Sequence, residues 1–177
     1  HMTMNKYISM AAAAVAALAV ASPIAADAQV VVPAGQNQPY YPTGIGPAIS
    51  GSVTTGRLPR KATDFLNANF PQSVIKEVEE EFDNGTFEVD FTDGTDIEFD
   101  SSGEWTEVDA GHSKSLPQEI VKKLLPSQAY KEIGRLSLDR CVETVKRSGR
   151  GYKVEFRGTD IHDLFFDPSG TLVAVEI

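Results

Sequence analysis

The sequence predicts an α+β domain over residues 58–177, built from two tandem repeats. A shift of 67 residues overlays LPRKATDFL (58–66) on LPSQAYKEI (125–133) and FDSSGEWTEV (99–108) on FDPSGTLVAV (166–175). Between them, FEVDF (87–91) matches YKVEF (152–156) at a shift of 65. The repeats, 58–109 and 125–177, each contain a helix and a four-stranded antiparallel meander, and we expect the helices to pack on one face of the sheet.

The elements of the first repeat follow from its periodicity. Leu58-Pro59 opens a helix, Ala62, Phe65 and Leu66 have amphipathic helical spacing, and Pro71 ends it. Alternating apolar and polar residues then predict strands over 73–82, 86–91, 95–99 and 104–108, with a type I′ hairpin turn at Asn84-Gly85. The second repeat predicts a helix near 126–137 and strands near 140–147, 151–157, 161–166 and 171–176. A linker helix within LPQEIVKKLL (116–125) joins the repeats.

Residues 1–28 are interpreted as a cloning scar, His1-Met2, followed by a cleaved export signal. Lys6, the Ala-rich run that follows and Ala26-Asp27-Ala28 give the order of a positive end, an apolar core and a small-x-small cleavage site. We therefore expect a mature N-terminus at Gln29, a periplasmic or secreted location, and no stable membrane insertion after signal removal. An uncleaved membrane anchor is the alternative, since the apolar run is about long enough to span.

Residues 29–57 predict a flexible leader, because they are rich in Gly, Pro and Ser and show no sustained period. An edge strand formed by Val30-Val31-Val32 is the less favoured interpretation.

The charge of the chain is concentrated in the first repeat. The net charge is −9, and residues 58–110 hold 15 acidic and 3 basic residues. An acidic chain of this kind argues against nucleic-acid binding. Alternation directs the apolar strand residues inward: Val74, Val78, Phe82, Phe87, Val89, Phe91, Ile97 and Phe99. It places a candidate binding set on the open face: Glu77, Glu79, Glu81, Glu88, Asp90, Glu98, Glu107 and, because Val108 points inward, Trp105. The second repeat places Lys146, Lys153, Arg157, Phe165 and Leu172 there.

The pattern contains no catalytic motif and no cofactor fingerprint, so no catalytic residue, cofactor or metal ligand is assigned. His112 and His162 lack metal-ligand spacing. Cys141, the single cysteine, aligns with Val74 and is expected to be buried and unpaired. The loops DNGTFE (83–88) and DGTDIE (93–98) cluster carboxylates but lack EF-hand spacing.

The helix-opening Leu-Pro, Phe70-Pro71, the meander FEVDFTDGTDIEFDSSGEWTEV (87–108) and its second copy GYKVEF (151–156) resemble the secreted PepSY-like family, also called β-lactamase-inhibitor-like. The resemblance covers about 58–177 and implies an exported bacterial protein whose relatives bind another protein through the open sheet face. This sequence departs from the family pattern at residues 131–145, which lack a counterpart of Pro71.

Three functions follow as hypotheses. The first is an exported, non-enzymatic binding module that captures an unidentified protein or peptide, including an enzyme to be inhibited, through the open face. The second is an acidic, Ca²⁺-binding envelope protein, and the third is an enzyme of unrecognised type. A solvated acidic face that only keeps the protein soluble is the structural alternative to a binding face.

Overall fold

A computed structural model describes residues 58–177 and, ahead of them, the strand Ala48–Ile49. The described part of the chain contains three helices: α1 (Arg60–Asn69), α2 (Gln118–Leu124) and α3 (Ser127–Arg135). Its strands are β1 (Ala48–Ile49), β2 (Val74–Glu81), β3 (Thr86–Phe91), β4 (Asp96–Phe99), β5 (Trp105–Asp109), β6 (Val142–Ser148), β7 (Gly151–Phe156), β8 (Asp163–Phe166) and β9 (Leu172–Glu176).

The predicted export signal lies outside the described residues and stays a prediction. The leader is not wholly without regular structure, because β1 pairs with β2 in parallel. The other leader residues, Val30–Val32 included, lie outside the described part.

Proline residues set the boundaries of all three helices. Pro59, Pro117 and Pro126 stand immediately before α1, α2 and α3, where a missing N–H removes no helical hydrogen bond. Helix α1 ends at Asn69, and the N–H of Phe70 still donates to the carbonyl of Leu66 (2.9 Å). The predicted stop before Pro71 is therefore confirmed.

The sheet is a meander in which each strand pairs with its neighbours in sequence, from β1 to β9. Strands β2 to β9 form an eight-stranded antiparallel open sheet. One apolar row crosses all eight strands on the helix-covered face: Val78, Val89, Ile97, Val108, Val145, Val154, Leu164 and Val175. From Val78 to Leu164 this row packs in one core with Leu66 of α1, Val121 of α2 and Ile133 of α3, while Val175 at the sheet edge stays exposed. The helices therefore cover one face, as predicted.

The two halves share local irregularities. A bulge interrupts β2 between Ile75 and Glu77, and a second interrupts β6 between Val142 and Thr144. The β2–β3 turn has four residues, 82–85, and the β6–β7 turn has two, 149–150. That difference of two residues accounts for the change in sequence shift from 67 to 65.

Several inward and outward assignments from strict alternation are wrong, because a bulge reverses the parity beyond it. At the start of β2 the buried residue is Ile75, while Val74 is only half-buried. Phe82 is 88% exposed, since β2 ends at Glu81 and Phe82 begins the turn. Leu172 pairs with Phe166 and packs against the core instead of lying on the open face.

The turn at Asn84-Gly85 is a hairpin connection but not the predicted type I′ turn. That turn needs positive φ at two successive residues, and here Gly85 has a φ of +70° while Asn84 is not among the residues with positive φ. The N–H of Gly85 donates to the carbonyl of Glu81 (2.7 Å), which closes the wider turn.

Candidate functional site

Two rows of carboxylates cross the face of the sheet opposite the helices, which we call the open face. The register aligns Glu79, Glu88, Glu98 and Glu107 in one row. It aligns Glu77, Asp90, Asp96 and Asp109 in the next. Cross-strand neighbours on one face lie about 5 Å apart, so strands β2–β5 hold eight carboxylates in a compact array. The six glutamate and aspartate residues of the predicted binding set that belong to these rows therefore share one surface.

The same rows are neutralised in the second half of the sheet. The first row continues into Lys146 and Lys153, and the second into Thr144, Glu155 and Asp163. Nζ of Lys146 lies 3.2 Å from a carboxylate oxygen of Glu107 and 3.6 Å from one of Glu155. Among the described residues of the β2–β5 array, only Glu107 has a lysine or arginine within 4.0 Å. The other seven carboxylates of this array have no ion pair with a lysine or arginine among the described residues.

Three members of the array converge most closely. Glu88 and Asp90 lie on β3 and Asp96 begins β4, and one carboxylate oxygen from each lies within 4.8 Å of the other two. All three side chains are half-buried. Neither the Asp83–Glu88 loop nor the Asp93–Glu98 loop creates this grouping, because it depends on the pairing of Asp90 with Asp96. We call Glu88, Asp90 and Asp96 the carboxylate triad.

Burial and mutual repulsion raise the pKa of two members of the triad, Asp96 and Glu88. Partial burial, with Asp109, Glu88 and Asp90 nearby, raises the pKa of Asp96 to about 7. Burial raises the pKa of Glu88 as well, and the charges of Asp90 and Glu98 add to it. Burial also raises the pKa of Glu107, although Lys146 opposes that shift. The positive charge near these three carboxyl groups is too small to offset burial and like-charge repulsion, so their pKa values lie above the ordinary ones.

This electrostatic strain predicts a pH dependence of stability. The folded-state pKa of Asp96 lies above its unfolded value, so its contribution to stability is complete below about pH 4 and is lost as the pH rises through about 7. The wild-type protein, studied in a chelator, should lose stability to urea between pH 5 and pH 8. Asp96→Asn should lose much less, whereas Glu79→Gln on the same face should behave as wild type. Equal pH dependence in wild type and Asp96→Asn would contradict this.

Trp105 does not belong to the open face, and its predicted position there is wrong. It is 7% exposed and pairs with Phe99, whose side chain lies in the core. A bulge at this point, where Glu98 pairs with Glu107 but Phe99 pairs with Trp105, brings both Trp105 and Val108 to the helix-covered face. The predicted binding set therefore loses its one aromatic residue.

Sequence reasoning missed Asp96 and Asp109. The signal that could have found them was available, because Asp96 has the same parity as Glu98 and Asp109 the same as Glu107. Cys141 is free, as expected, but it is only partly buried and packs at the margin of the core. His112 and His162 are exposed, and the one grouping of potential metal ligands found among the described residues includes neither.

The fold and this face define an α+β domain with a helix-covered and an acidic open side. The sequence matches the family described as "Putative beta-lactamase-inhibitor-like, PepSY-like" over residues 84–174, just over half of the chain. The protein belongs to this PepSY-like family, which confirms the resemblance drawn from the sequence. A search of the curated proteins found no match.

Solved structures share this architecture and are described as putative periplasmic proteins. One, of unknown function, from Bacteroides vulgatus, is 22% identical, with a TM-score of 0.57 over 70% of this chain and 94% of its own. Another, from Bacteroides thetaiotaomicron, is described as "a putative calcium-regulated periplasmic protein". It is 28% identical, with a TM-score of 0.57 over 67% of this chain and 90% of its own. A third, also from Bacteroides vulgatus, is 22% identical with a TM-score of 0.55, over 68% and 91% of the two chains.

These neighbours agree with the predicted periplasmic location. None of the helices among the described residues is long and apolar enough to cross a membrane. Neither the family nor the neighbours indicate a catalytic class.

Proposed function

We propose that the protein is a non-enzymatic periplasmic module that binds a calcium ion at the carboxylate triad. The observation that carries this proposal is internal to the chain. In hairpin β3–β4, Asp90 pairs with Asp96, and Glu88 precedes Asp90 by two residues. In hairpin β7–β8, Glu155 pairs with Asp163, and Lys153 precedes Glu155 by two residues. The second hairpin thus has a lysine at the position of Glu88.

That lysine acts as a built-in cation. Nζ of Lys153 lies 2.9 Å from Glu155 and 3.0 Å from Asp163, so one ammonium group bridges the two paired carboxylates. These hydrogen bonds raise the pKa of Lys153 and keep it charged. The carboxylates of Asp90 and Asp96 have the same pairing, and no described lysine bridges them. A bound cation would supply the charge that Lys153 supplies in the other hairpin.

The donor set suits calcium. Ca²⁺ prefers carboxylate, carbonyl and water oxygens at 2.3–2.6 Å, so two oxygens on one ion lie at most about 5 Å apart. The triad oxygens already fall within 4.8 Å of one another. The array offers no sulfur or imidazole donor, which argues against zinc. The 28%-identical relative described as calcium-regulated supports the same choice of ion.

We further propose that 58–109 and 125–177 are tandem copies that have diverged at this site. The bulges in β2 and β6 support this, as do the matching helix contacts of Gly103 and Gly170. A Cβ added at Gly103 would meet Pro59 and Ala62, before and inside α1, and one at Gly170 would meet Pro126 and Ala129, before and inside α3. In such a pair, the second copy carries its positive charge as the side chain of Lys153, and the first copy binds a cation from solution.

Calcium should therefore raise the melting temperature of the exported protein. Binding to the folded state alone contributes about 2.7 kcal/mol at a concentration 100 times Kd, which corresponds to roughly 5–10 °C for a domain of this size. Glu88→Lys should remove the calcium response and also raise the melting temperature in a chelator, because the new ammonium group would bridge Asp90 and Asp96. Calorimetric thermal unfolding with and without Ca²⁺ measures both effects.

A matched pair of variants makes the test specific. Glu79→Gln removes one charge from the same face outside the triad and should keep the calcium response. Lys153→Glu gives the second hairpin three carboxylates, and should lower stability in a chelator while adding a second calcium equivalent by titration calorimetry. Calcium stabilisation that survives Glu88→Lys would place any bound ion elsewhere and contradict the proposal.

A second candidate function is capture of a basic protein or peptide segment by the array, including inhibition of an enzyme. The eight carboxylates of β2–β5 support it, because a field of one sign steers an oppositely charged partner. The burial of Trp105 removes the one aromatic residue from the predicted binding set. Periplasmic pull-down with wild type and Glu98→Lys would test this function. A partner lost from Glu98→Lys but retained by Glu88→Lys would separate it from calcium binding.

A further inference from the structure

The two edges of the sheet differ in character. At one edge, β2 presents exposed Lys76, Glu77, Glu79 and Glu81, and β1 pairs alongside its first residues. Charged residues and a covering strand are two of the usual means by which proteins prevent edge-to-edge association. At the other edge, no strand of the described residues pairs with the outer side of β9.

The β9 edge is less protected among the described residues, although a bulge at Val173 interrupts its pairing with β8. Val173 is 62% exposed, Val175 is 46% exposed and Ile177, just beyond the strand, is 86% exposed. They are three of the four exposed large hydrophobic residues in the described part of the chain, and the fourth, Phe82, lies in the β2–β3 turn. Over Leu172–Glu176 the only charged residue is Glu176. An extended and largely apolar edge with a single charged residue is a template for strand pairing.

We infer that β9 pairs antiparallel with β9 of a second copy of this chain, forming a two-fold symmetric dimer with one continuous sheet. A strand that pairs with itself about Ala174 sets Val173 against Val175 of the second copy, so apolar residues meet apolar residues. Glu176 then lies opposite Leu172, and the two Glu176 side chains are four residues apart along the strands. The segment is therefore complementary to itself.

Charge selects this arrangement over a head-to-tail one. The β2 edge is acidic and partly covered by β1, so it is a poor partner for β9 of another copy. When the copies pair through β9, nine strand spacings lie between β5 of one copy and β5 of the other. The two acidic arrays are therefore about 43 Å apart. That distance is several times the screening length of about 8 Å at physiological salt. The β9 edge, the less charged of the two edges among the described residues, is then occupied by its own copy, and association stops at the dimer.

The test measures mass against concentration for protein purified from the periplasm of an expressing bacterium. Sedimentation equilibrium from about 1 μM to about 500 μM spans the affinities expected of a small interface. The wild type should shift from monomer to dimer, without higher species. Val173→Lys should shift the association to at least tenfold higher concentration, because it puts an ammonium group at the pairing edge. Phe82→Lys, a matched change at an exposed apolar residue away from β9, should dimerise as wild type.

Amide hydrogen exchange identifies the surface. The amides of β9 should become more protected as concentration rises in the wild type, and not in Val173→Lys. Circular dichroism confirms that each variant is folded, and Ala174→Lys provides a second edge variant. A wild type that stays monomeric to 500 μM would overturn the inference. So would a dimer that persists in both edge variants, or β9 amides protected equally at all concentrations, which would mean that a segment of the same chain covers the edge.

Discussion

Trp105→Ala should lower the free energy of unfolding by about 3–5 kcal/mol, the range for removing a large buried aromatic side chain. The ring of Trp105 stacks on Phe65 of α1 with centroids 6.1 Å apart, and Tyr152 lies 6.4 Å away on the other half of the sheet. The guanidinium carbon of Arg147 lies 4.3 Å from the Trp105 ring centroid, while its Nε donates to the Trp105 carbonyl (3.0 Å). Removal of this ring would leave a cavity where α1 meets both halves of the sheet.

Urea unfolding followed by circular dichroism measures this loss. Trp105→Phe should retain most of the stability, since an aromatic ring still fills the space. Phe82→Ala removes an aromatic side chain that is 88% exposed and should change stability by less than about 0.5 kcal/mol. If Trp105→Ala is as stable as wild type, the burial of Trp105 is contradicted and the open-face position that strict alternation predicts is supported.

Gly151→Ala should be destabilising by about 3 kcal/mol or more, because the change combines backbone strain with a direct overlap of atoms. Gly151 begins β7 with a φ of +127°, a conformation that side chains of L residues rarely adopt. A Cβ at this position would overlap the carbonyl oxygen of Phe166 and lie 2.9 Å from the main chain of Asp167. Accommodating it would require β7 to separate from β8.

Gly149, two residues earlier in the same hairpin, is the matched control. A Cβ added there has no atom within 4 Å, and its φ is not in the left-handed region. Gly149→Ala should therefore remain within about 1 kcal/mol of wild type. Comparable losses in both variants would show that the hairpin turn itself, and not the contact with Phe166 and Asp167, limits stability.

The fold was largely predictable because its local signals agree with one another. Prolines mark the helix starts, alternation marks the strands, and the sequence shift locates corresponding elements in each half. The side-chain directions were less predictable wherever a bulge intervened. A bulge depends on the pairing of two strands, which periodicity within one strand does not contain. Trp105, Val74 and Leu172 were misplaced for this reason.

In the candidate site, too, features within one strand were predictable and contacts between strands were not. Alternation alone placed Glu88, Asp90 and Glu98 on the open face. It could not group Asp90 with Asp96, because their proximity comes from the register of β3 with β4. The bridging role of Lys153 was equally hidden, since Asp163 reaches it from the next strand. Alternation within single strands therefore indicated the acidic surface but not the triad.

The strictly sequential order of the strands bears on how the protein forms after export. A chain that crosses a membrane from its N-terminus releases β2 before β3 and β3 before β4. Each new strand can therefore pair with the strand released just before it, at the edge of the sheet. Such nearest-neighbour pairing keeps contact order low, which favours fast folding. Within β2–β9, the one long connection, between β5 and β6, contains α2 and α3. Folding should consequently proceed in two stages, with β2–β5 assembled on α1 before the later half docks, and no strand has to insert between two that are already joined.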